Sequence, residues 1–257
     1  MLEILVRPPP SYLDQLKFDF PVKECPALTS LRRLDWWHHN DAARSGGLNS
    51  LTDVLKSAPN IVYLSLGGDL HISPLQHLSI SLPSLVTLHI RPMNASLWAS
   101  LGGWRLPSLR HVIIDTYNGF IPQNFWSAFG HQVKTVELGQ SIKFCLIDMA
   151  QYVLGVCPNL EELNYRIQFA ATPNLPVRHP TLTTVRLHAA SNGFFADEGN
   201  GFWQHIESHF IALSSTCLPA LKHVVLHGDW GFLLHNNRSH SLMKRLLDAG
   251  RRVELID

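Results

Sequence analysis

The sequence has little charge, and it lacks the patterns that mark several common classes of protein. Only 16% of its 257 residues are Asp, Glu, Lys or Arg, whereas 46% are hydrophobic. Disordered chains need the opposite balance, so this composition predicts a folded protein with a large core. The formal net charge is +1, which gives no long-range attraction to the phosphates of a nucleic acid.

Long apolar runs and paired cysteines are also missing. No stretch approaches the roughly 18 apolar residues of a membrane span, and the apolar start of the chain is too short for a signal peptide and includes Glu3. We therefore expect a cytoplasmic or nuclear protein whose thiols stay reduced. The four cysteines form no Cys-x-x-Cys pair, which argues against a zinc or redox site.

Two sequence signatures of enzymes are absent as well. The chain has neither a Gly-x-Ser-x-Gly turn nor a glycine-rich phosphate loop. Its acidic residues are scattered without paired spacing. We therefore predict a protein that is not an enzyme and needs no cofactor, metal or catalytic residue.

What the sequence does contain is a repeat. Each copy has a proline followed by apolar residues two, five and seven positions later. Six copies occupy residues 59–66, 83–90, 107–114, 158–165, 180–187 and 219–226. Three copies without the proline lie at residues 31–36, 133–138 and 253–255, and a weaker one lies at 13–18. The first apolar positions Ile61, Leu85, Leu109 and Val133 follow one another at equal intervals of 24 residues.

The spacing predicts a strand and a helix in each unit. The last two apolar residues are two apart, so they point to one side of a strand. The proline ends the preceding helix. Helical spacing of apolar residues occurs at residues 51–58, 146–154 and 202–213. We therefore predict an α/β fold with parallel strands in a single domain, residues 1–257, with an irregular insert near residues 189–202.

A period in the twenties is typical of leucine-rich repeats. The Cys-Pro-x-Leu-x-x-Leu run from Cys157 to Leu163 resembles the cysteine-containing repeats of F-box/LRR proteins, and Cys25 to Leu28 is a looser instance. The resemblance implies a leucine-rich-repeat-like solenoid with a curved parallel sheet and helices on its outer face. An ordinary α/β domain with helices ended by prolines is the alternative.

The resemblance also implies a function, namely a non-catalytic protein-interaction scaffold that holds a substrate for an F-box-type ubiquitin ligase. About a dozen residues precede the weak first repeat, which is too few for an F-box. Either the chain is a fragment, or it binds without recruiting a ligase. The ubiquitin-ligase adaptor is therefore expected as a partner only if a missing F-box segment exists.

Successive strands of such a solenoid align their outward residues into rows, which form a recognition surface on the concave face. These rows are varied and rich in residues that suit protein recognition. We expect them to bind a protein of unknown identity, and neither a nucleic acid nor a membrane. The candidate residues are Trp37, Tyr63, His89, Arg91, His111, Asp115, Arg166, Arg186, His188, His223 and His227. Trp37 is either an exposed anchor or covered by neighbouring loops.

Histidine is unusually frequent, with 15 residues. Because imidazole titrates near neutrality, the histidines on the outward face suggest pH-dependent binding. The alternative function is a metal-dependent hydrolase that uses His205 and His209, which have zinc-binding spacing, or the pair His38 and His39. We favour a solvent-exposed pair at 205 and 209, flanking an apolar stripe of the same helix.

Overall fold

The structure is a computed structural model of the chain, which divides into two compact units, Met1–Gln132 and Val133–Asp257. It describes residues 2–7, 27–38, 51–68, 80–93, 95–115, 123–139, 149–167, 171, 178–189, 200–228, 230 and 237–256. Both units are α/β, as the sequence predicts. No helix in these ranges is long and apolar enough to cross a lipid bilayer.

Unit 1 has five parallel strands that are hydrogen-bonded in chain order. They are β1 (Ile4–Arg7), β2 (Arg33–His38), β3 (Tyr63–Gly68), β4 (Thr87–Met93) and β5 (His111–Ile114). Its described helices are α1 (Leu51–Ser57), α2 (Ala95–Leu101) and α3 (Gln123–Phe129).

Unit 2 repeats this plan with five more parallel strands in chain order. They are β6 (Thr135–Leu138), β7 (Glu162–Arg166), β8 (Thr184–Ala189), β9 (His223–Gly228) and β10 (Arg252–Ile256). The described helices are α4 (Met149–Val156), α5 (Asn200–Ser214) and α6 (Asn237–Asp248).

The core of each unit is built from the apolar pairs that define the repeat. In β4, β5, β6 and β8 buried and partly exposed residues alternate, so one face of each strand is covered. Leu88 and Ile90 are both 0% exposed, and so are Val112 and Ile114. Parallel pairing in register then stacks like position upon like position. This confirms the predicted register of the inward residues.

The turn before each strand also repeats. The amide of Leu85 donates to the carbonyl of Leu82, and that of Leu160 donates to the carbonyl of Cys157. The proline lies between donor and acceptor in both cases. Since proline has no N–H and cannot continue a helix, this short turn leads the chain from helix into strand.

A side chain next to the proline links neighbouring turns. Ser108 Oγ donates to the carbonyl of Pro83 at 2.6 Å, and Thr181 Oγ1 donates to the carbonyl of Pro158 at 3.1 Å. Asn60 Nδ2 makes the equivalent bond to the carbonyl of Thr29 at 2.8 Å. A small polar residue after the proline therefore satisfies a carbonyl that no helix or strand pairs.

The predicted helices are confirmed where the structure describes them. Of the predicted 51–58, residues 51–57 form α1, and residues 202–213 lie in α5. Of the predicted 146–154, residues 149–154 lie in α4, whereas 146–148 lie outside the described residues. The copies at 31–36, 133–138 and 253–255 lead into or lie in β2, β6 and β10, as expected. The predicted inward residue Leu255 is 48% exposed, unlike its equivalents in the other two copies. The weak copy at 13–18 and residues 190–199 of the insert lie outside the described residues. Strand β1, helices α2, α3 and α6 were not predicted.

Cys157 is a small buried residue at the end of a helix. It follows α4 and is 0% exposed, whereas Cys217 is partly exposed. Burial raises the pKa of the Cys157 thiol to about 12. The thiol is therefore neutral at physiological pH and acts as a packing group.

A test of the register replaces Leu163, which is 1% exposed, by aspartate. Because Leu163→Asp buries a charge without a partner, the free energy of unfolding should fall by about 3 kcal/mol or more. Urea denaturation would measure the change. Lys222→Asp, at an exposed residue just before β9, is the control and should change the stability by less than about 1 kcal/mol. Equal effects of the two changes would contradict the inward position of Leu163.

Candidate binding face

The candidate site is the side of each sheet opposite the buried apolar pairs, which we call the outward face. Its central row is Asp35, Ser65, His89 and Ile113 in unit 1, and Glu137, Asn164, Arg186, Val225 and Glu254 in unit 2. Strand pairing confirms both rows as the spacing predicts them. Several residues of this central row are more buried than residues on an open surface. Neighbouring strands lie only about 4.8 Å apart, so large side chains on the flanking strands cover the residue between them.

His89 is the centre of the outward face of unit 1. The hydroxyl oxygens of Tyr63 and Ser65 lie 3.1 and 3.3 Å from its Nδ1. On the other side of the ring, Nε2 lies 3.5 Å from Oδ2 of Asp115, which is close enough for electrostatic attraction but longer than an ordinary hydrogen bond. Three of the predicted residues, Tyr63, His89 and Asp115, are thus brought together across three strands.

This arrangement places a serine, a histidine and an aspartate in sequence, as in a nucleophilic triad. Two features separate it from one that is ready to react with a substrate. Ser65 is only 1% exposed, so its hydroxyl is not offered to solvent. The hydroxyl of Tyr63 competes with that of Ser65 for the same imidazole nitrogen. The contacts fix the orientation of the ring.

Arg33 extends the network to the edge of the face. Its Nε donates to Oδ2 of Asp35 at 2.8 Å, and its guanidinium carbon lies 4.5 Å from the centre of the Tyr63 ring. The hydrogen bond and the charge of Asp35 raise the pKa of Arg33. Half of the Arg33 side chain remains exposed, so it keeps donors for a partner.

Trp37 lies at the carboxyl end of β2 and is partly buried. The guanidinium carbon of Arg91 is 5.2 Å from the centre of its ring, which is a cation–π contact. Between them lies Gly67, where an added Cβ would come within 2.9 Å of both the Trp37 ring and Cβ of Arg91. The absence of a side chain at Gly67 therefore lets Trp37 and Arg91 meet. Nδ1 of His111 lies 3.5 Å from Oγ1 of Thr87 on the neighbouring strand.

The outward face of unit 2 carries a different set of contacts, centred on Arg186. Its Nε donates to Oε1 of Glu162 at 2.7 Å, and Nη1 donates to Nε2 of His227 at 3.3 Å. Because arginine can only donate, Nε2 of His227 must be the accepting nitrogen, and the proton of the neutral ring is on Nδ1. The rings of His188 and His227 are stacked, with centres 4.9 Å apart and planes 10° from parallel.

His188 lies among positive charges. Burial lowers its pKa, and so do His227, Arg166 and Arg186, while Glu137 raises it. The ring is therefore neutral at pH 7. The remaining predicted residue, His223, is exposed at the start of β9.

The prediction of a solvent-exposed pair at His205 and His209 is wrong for His209, which is 0% exposed. Its Nδ1 lies 3.0 Å from the hydroxyl of Tyr165 on the inward side of β7. His205 is partly buried and its Nε2 donates to the carbonyl of Ile167 at 2.7 Å. The helical spacing of the two histidines could not predict the burial of His209, because that burial depends on a strand residue 44 positions earlier in the chain. The interaction holds α5 against the inward face.

Other metal-site candidates can be placed only in part. Among the described residues, no group of three or more His, Cys, Asp or Glu could hold a metal ion. His39 and the side chain of His38 lie outside the described residues.

Four residues of the networks were missed as candidates, namely Arg33, Asp35, Ser65 and Glu162. All four are in the rows that the repeat defines, so the register was a sufficient signal to find them.

No family model matches the chain, and no curated protein is found to be similar to it.

Gly67→Ala tests the contact between Trp37 and Arg91. The added Cβ should clash with both residues and lower the free energy of unfolding by about 1–3 kcal/mol. Gly155→Ala, in α4, is the matched control, since a Cβ there meets nothing within 4 Å. It should leave stability unchanged or raise it by up to about 1 kcal/mol. Urea denaturation would measure the free energy of unfolding of both variants. Equal values for Gly67→Ala and the control would refute the close approach of Trp37 and Arg91 across Gly67.

The lowered pKa of His188 predicts a loss of stability in acid. The unfolded chain binds a proton at His188 more readily than the folded one does. The contribution of His188 to the free energy of unfolding is therefore fully present above about pH 6.5. It is lost as the pH falls through the lower pKa of the folded state. Urea denaturation at about pH 7.5 and 5.5 should show a smaller loss for His188→Gln than for the unchanged protein. His240→Gln, at an exposed residue, is the control, and an unchanged pH dependence in His188→Gln would contradict the assignment.

Proposed function

We propose that the protein is a non-catalytic, protein-binding scaffold that presents the outward face to its partner. The observation that carries the proposal is the difference between the two sides of the strands. The inward positions Leu64, Leu88 and Leu187 are 0% exposed. The outward positions of the same strands carry Tyr, His and Arg in ordered contact with one another.

The composition of the outward face supports a protein partner. Aromatic residues and arginine are enriched in protein interfaces, and they dominate binding energies. Trp37, Tyr63 and Arg91 are such residues, and each is held by a neighbour before any partner arrives. Side chains that are already ordered lose less entropy on binding.

We further propose that the units form a leucine-rich-repeat-like solenoid with a curved sheet. The repeated turn and the hydrogen bonds that link one turn to the next support this proposal. The resemblance to F-box/LRR proteins extends it to a role in holding substrates for a ubiquitin ligase, with the adaptor bound by an F-box segment outside this chain.

Charge reversal on the outward face tests the binding role. Arg91→Glu combined with Arg166→Glu should lower the affinity for the partner at least about tenfold, because charges across an interface are complementary. The partner would first be identified by affinity purification and mass spectrometry with the unchanged protein. Its affinity for each variant would then be measured with purified components.

The matched control is Lys56→Glu combined with Lys244→Glu, which reverses two exposed charges on α1 and α6. It should retain the partner, and both double variants should unfold within about 1 kcal/mol of the unchanged protein. Equal binding by the two double variants would refute the assignment of the outward face. The family role is tested separately, on a longer protein that carries an F-box segment together with this chain. Recovery of the ubiquitin-ligase adaptor with that protein would support the role, and its absence from a preparation that contains the partner would count against it.

A further inference from the structure

Three adjacent strands of unit 2 place hydrogen-bond donors side by side at their carboxyl ends. Arg166 on β7 is the register partner of His188 on β8, and His188 is the register partner of His227 on β9. Arg186 lies one step nearer the centre of the face and contacts His227. We call these four residues the basic row.

The basic row combines positive charge with donors that are not fully used. Among the described residues, Arg166 makes no hydrogen bond or ion pair, although its charge acts on His188. Arg186 is held between Glu162 and His227. The His227 ring has its proton on Nδ1, because its Nε2 accepts from Arg186. The guanidinium of Arg166 and the stacked imidazoles of His188 and His227, whose ring centres are 4.9 Å apart, therefore belong to adjacent positions on three neighbouring strands.

The surrounding carboxylates do not neutralise this group. Glu162 is already paired with Arg186 at 2.7 Å. Glu137 on β6 raises the pKa of His188, whereas Arg166 and Arg186 lower it. Glu254 lies on the far side of β9 in the central row. At the carboxyl ends of β7, β8 and β9, Arg166 is thus the cation that an anion would meet, since Arg186 is already paired with Glu162.

We propose that the basic row binds a phosphate group carried by a phosphorylated segment of the partner protein. This inference rests on the proposed function. A tetrahedral phosphate presents oxygens in several directions, so it can accept from three adjacent strands at once, whereas a carboxylate accepts in one plane. Arginine forks bind phosphate through two parallel hydrogen bonds, and the imidazoles complete the set.

The site also predicts the direction of its pH dependence. A bound dianion opposes the positive charges around His188 and favours its protonated form. Affinity for an anion should therefore rise as the pH falls from about 7.5 to 5.5. Sulfate is the suitable probe for this measurement, because its own charge does not change over that range.

The experiment follows histidine ring resonances of the full chain by NMR, assigned through His188→Gln and His227→Gln. Inorganic phosphate should shift both resonances in a saturable way. Arg166→Gln should weaken this binding roughly tenfold, the loss expected for one charge-assisted hydrogen bond. Lys134→Gln is the control, because Lys134 is paired with Glu161 elsewhere in unit 2.

A second arm identifies the source of the phosphate. A phosphoserine peptide should bind at least as tightly as inorganic phosphate, and the same peptide with serine or glutamate in that place should bind at least about tenfold more weakly. Binding of inorganic phosphate alone would overturn the assignment to a phosphorylated segment. If inorganic phosphate caused no saturable shift at His188 and His227 in the unchanged protein, the site itself would be overturned. This result needs no variant, and it would leave the proposed protein-binding role untouched.

Discussion

The strict alternation of side chains along parallel strands in register is the constraint on which everything else depends. The strands β2 to β9 each contribute an apolar pair such as Leu88 and Ile90 to the core, both 0% exposed. The residue between them, here His89, must then point the other way. Because neighbouring strands pair like position with like position, the core and the outward face are two results of one register. A shift by one residue would exchange them.

The two units use this same constraint to build different chemistry. In unit 1 the outward contacts converge on His89, which is held between hydroxyls and a carboxylate. In unit 2 they place Arg186 between a carboxylate and an imidazole, beside a stacked pair of histidine rings. The backbone plan sets where a side chain is presented, and the residue in each row decides what it can bind. This separation of scaffold from recognition is what allows a repeat to carry a specific surface.

Much of the fold could be predicted from local signals. Proline followed by apolar residues identified the strands β3, β4, β5, β7, β8 and β9, and the apolar period identified α1, α4 and α5. Strand β1 escaped notice because no proline precedes it and because Ile4, Leu5 and Val6 are all apolar, so its sequence does not alternate between apolar and polar residues. Helices α2 and α3 are only seven residues long, and such short segments carry few apolar positions with which to recognise a period.

The sequence by itself determined the class of fold, the register and the membership of each outward row, since the alternation and the repeat are properties of residues close together in the chain. Only the tertiary structure decided which members of a row touch. It buried His209 against Tyr165, brought Arg91 over Trp37 across Gly67, and joined Arg186 to His227. The physical reason is that these contacts join residues 24 or more positions apart. Their geometry depends on strand spacing, side-chain volume and competing donors, and no local pattern records them.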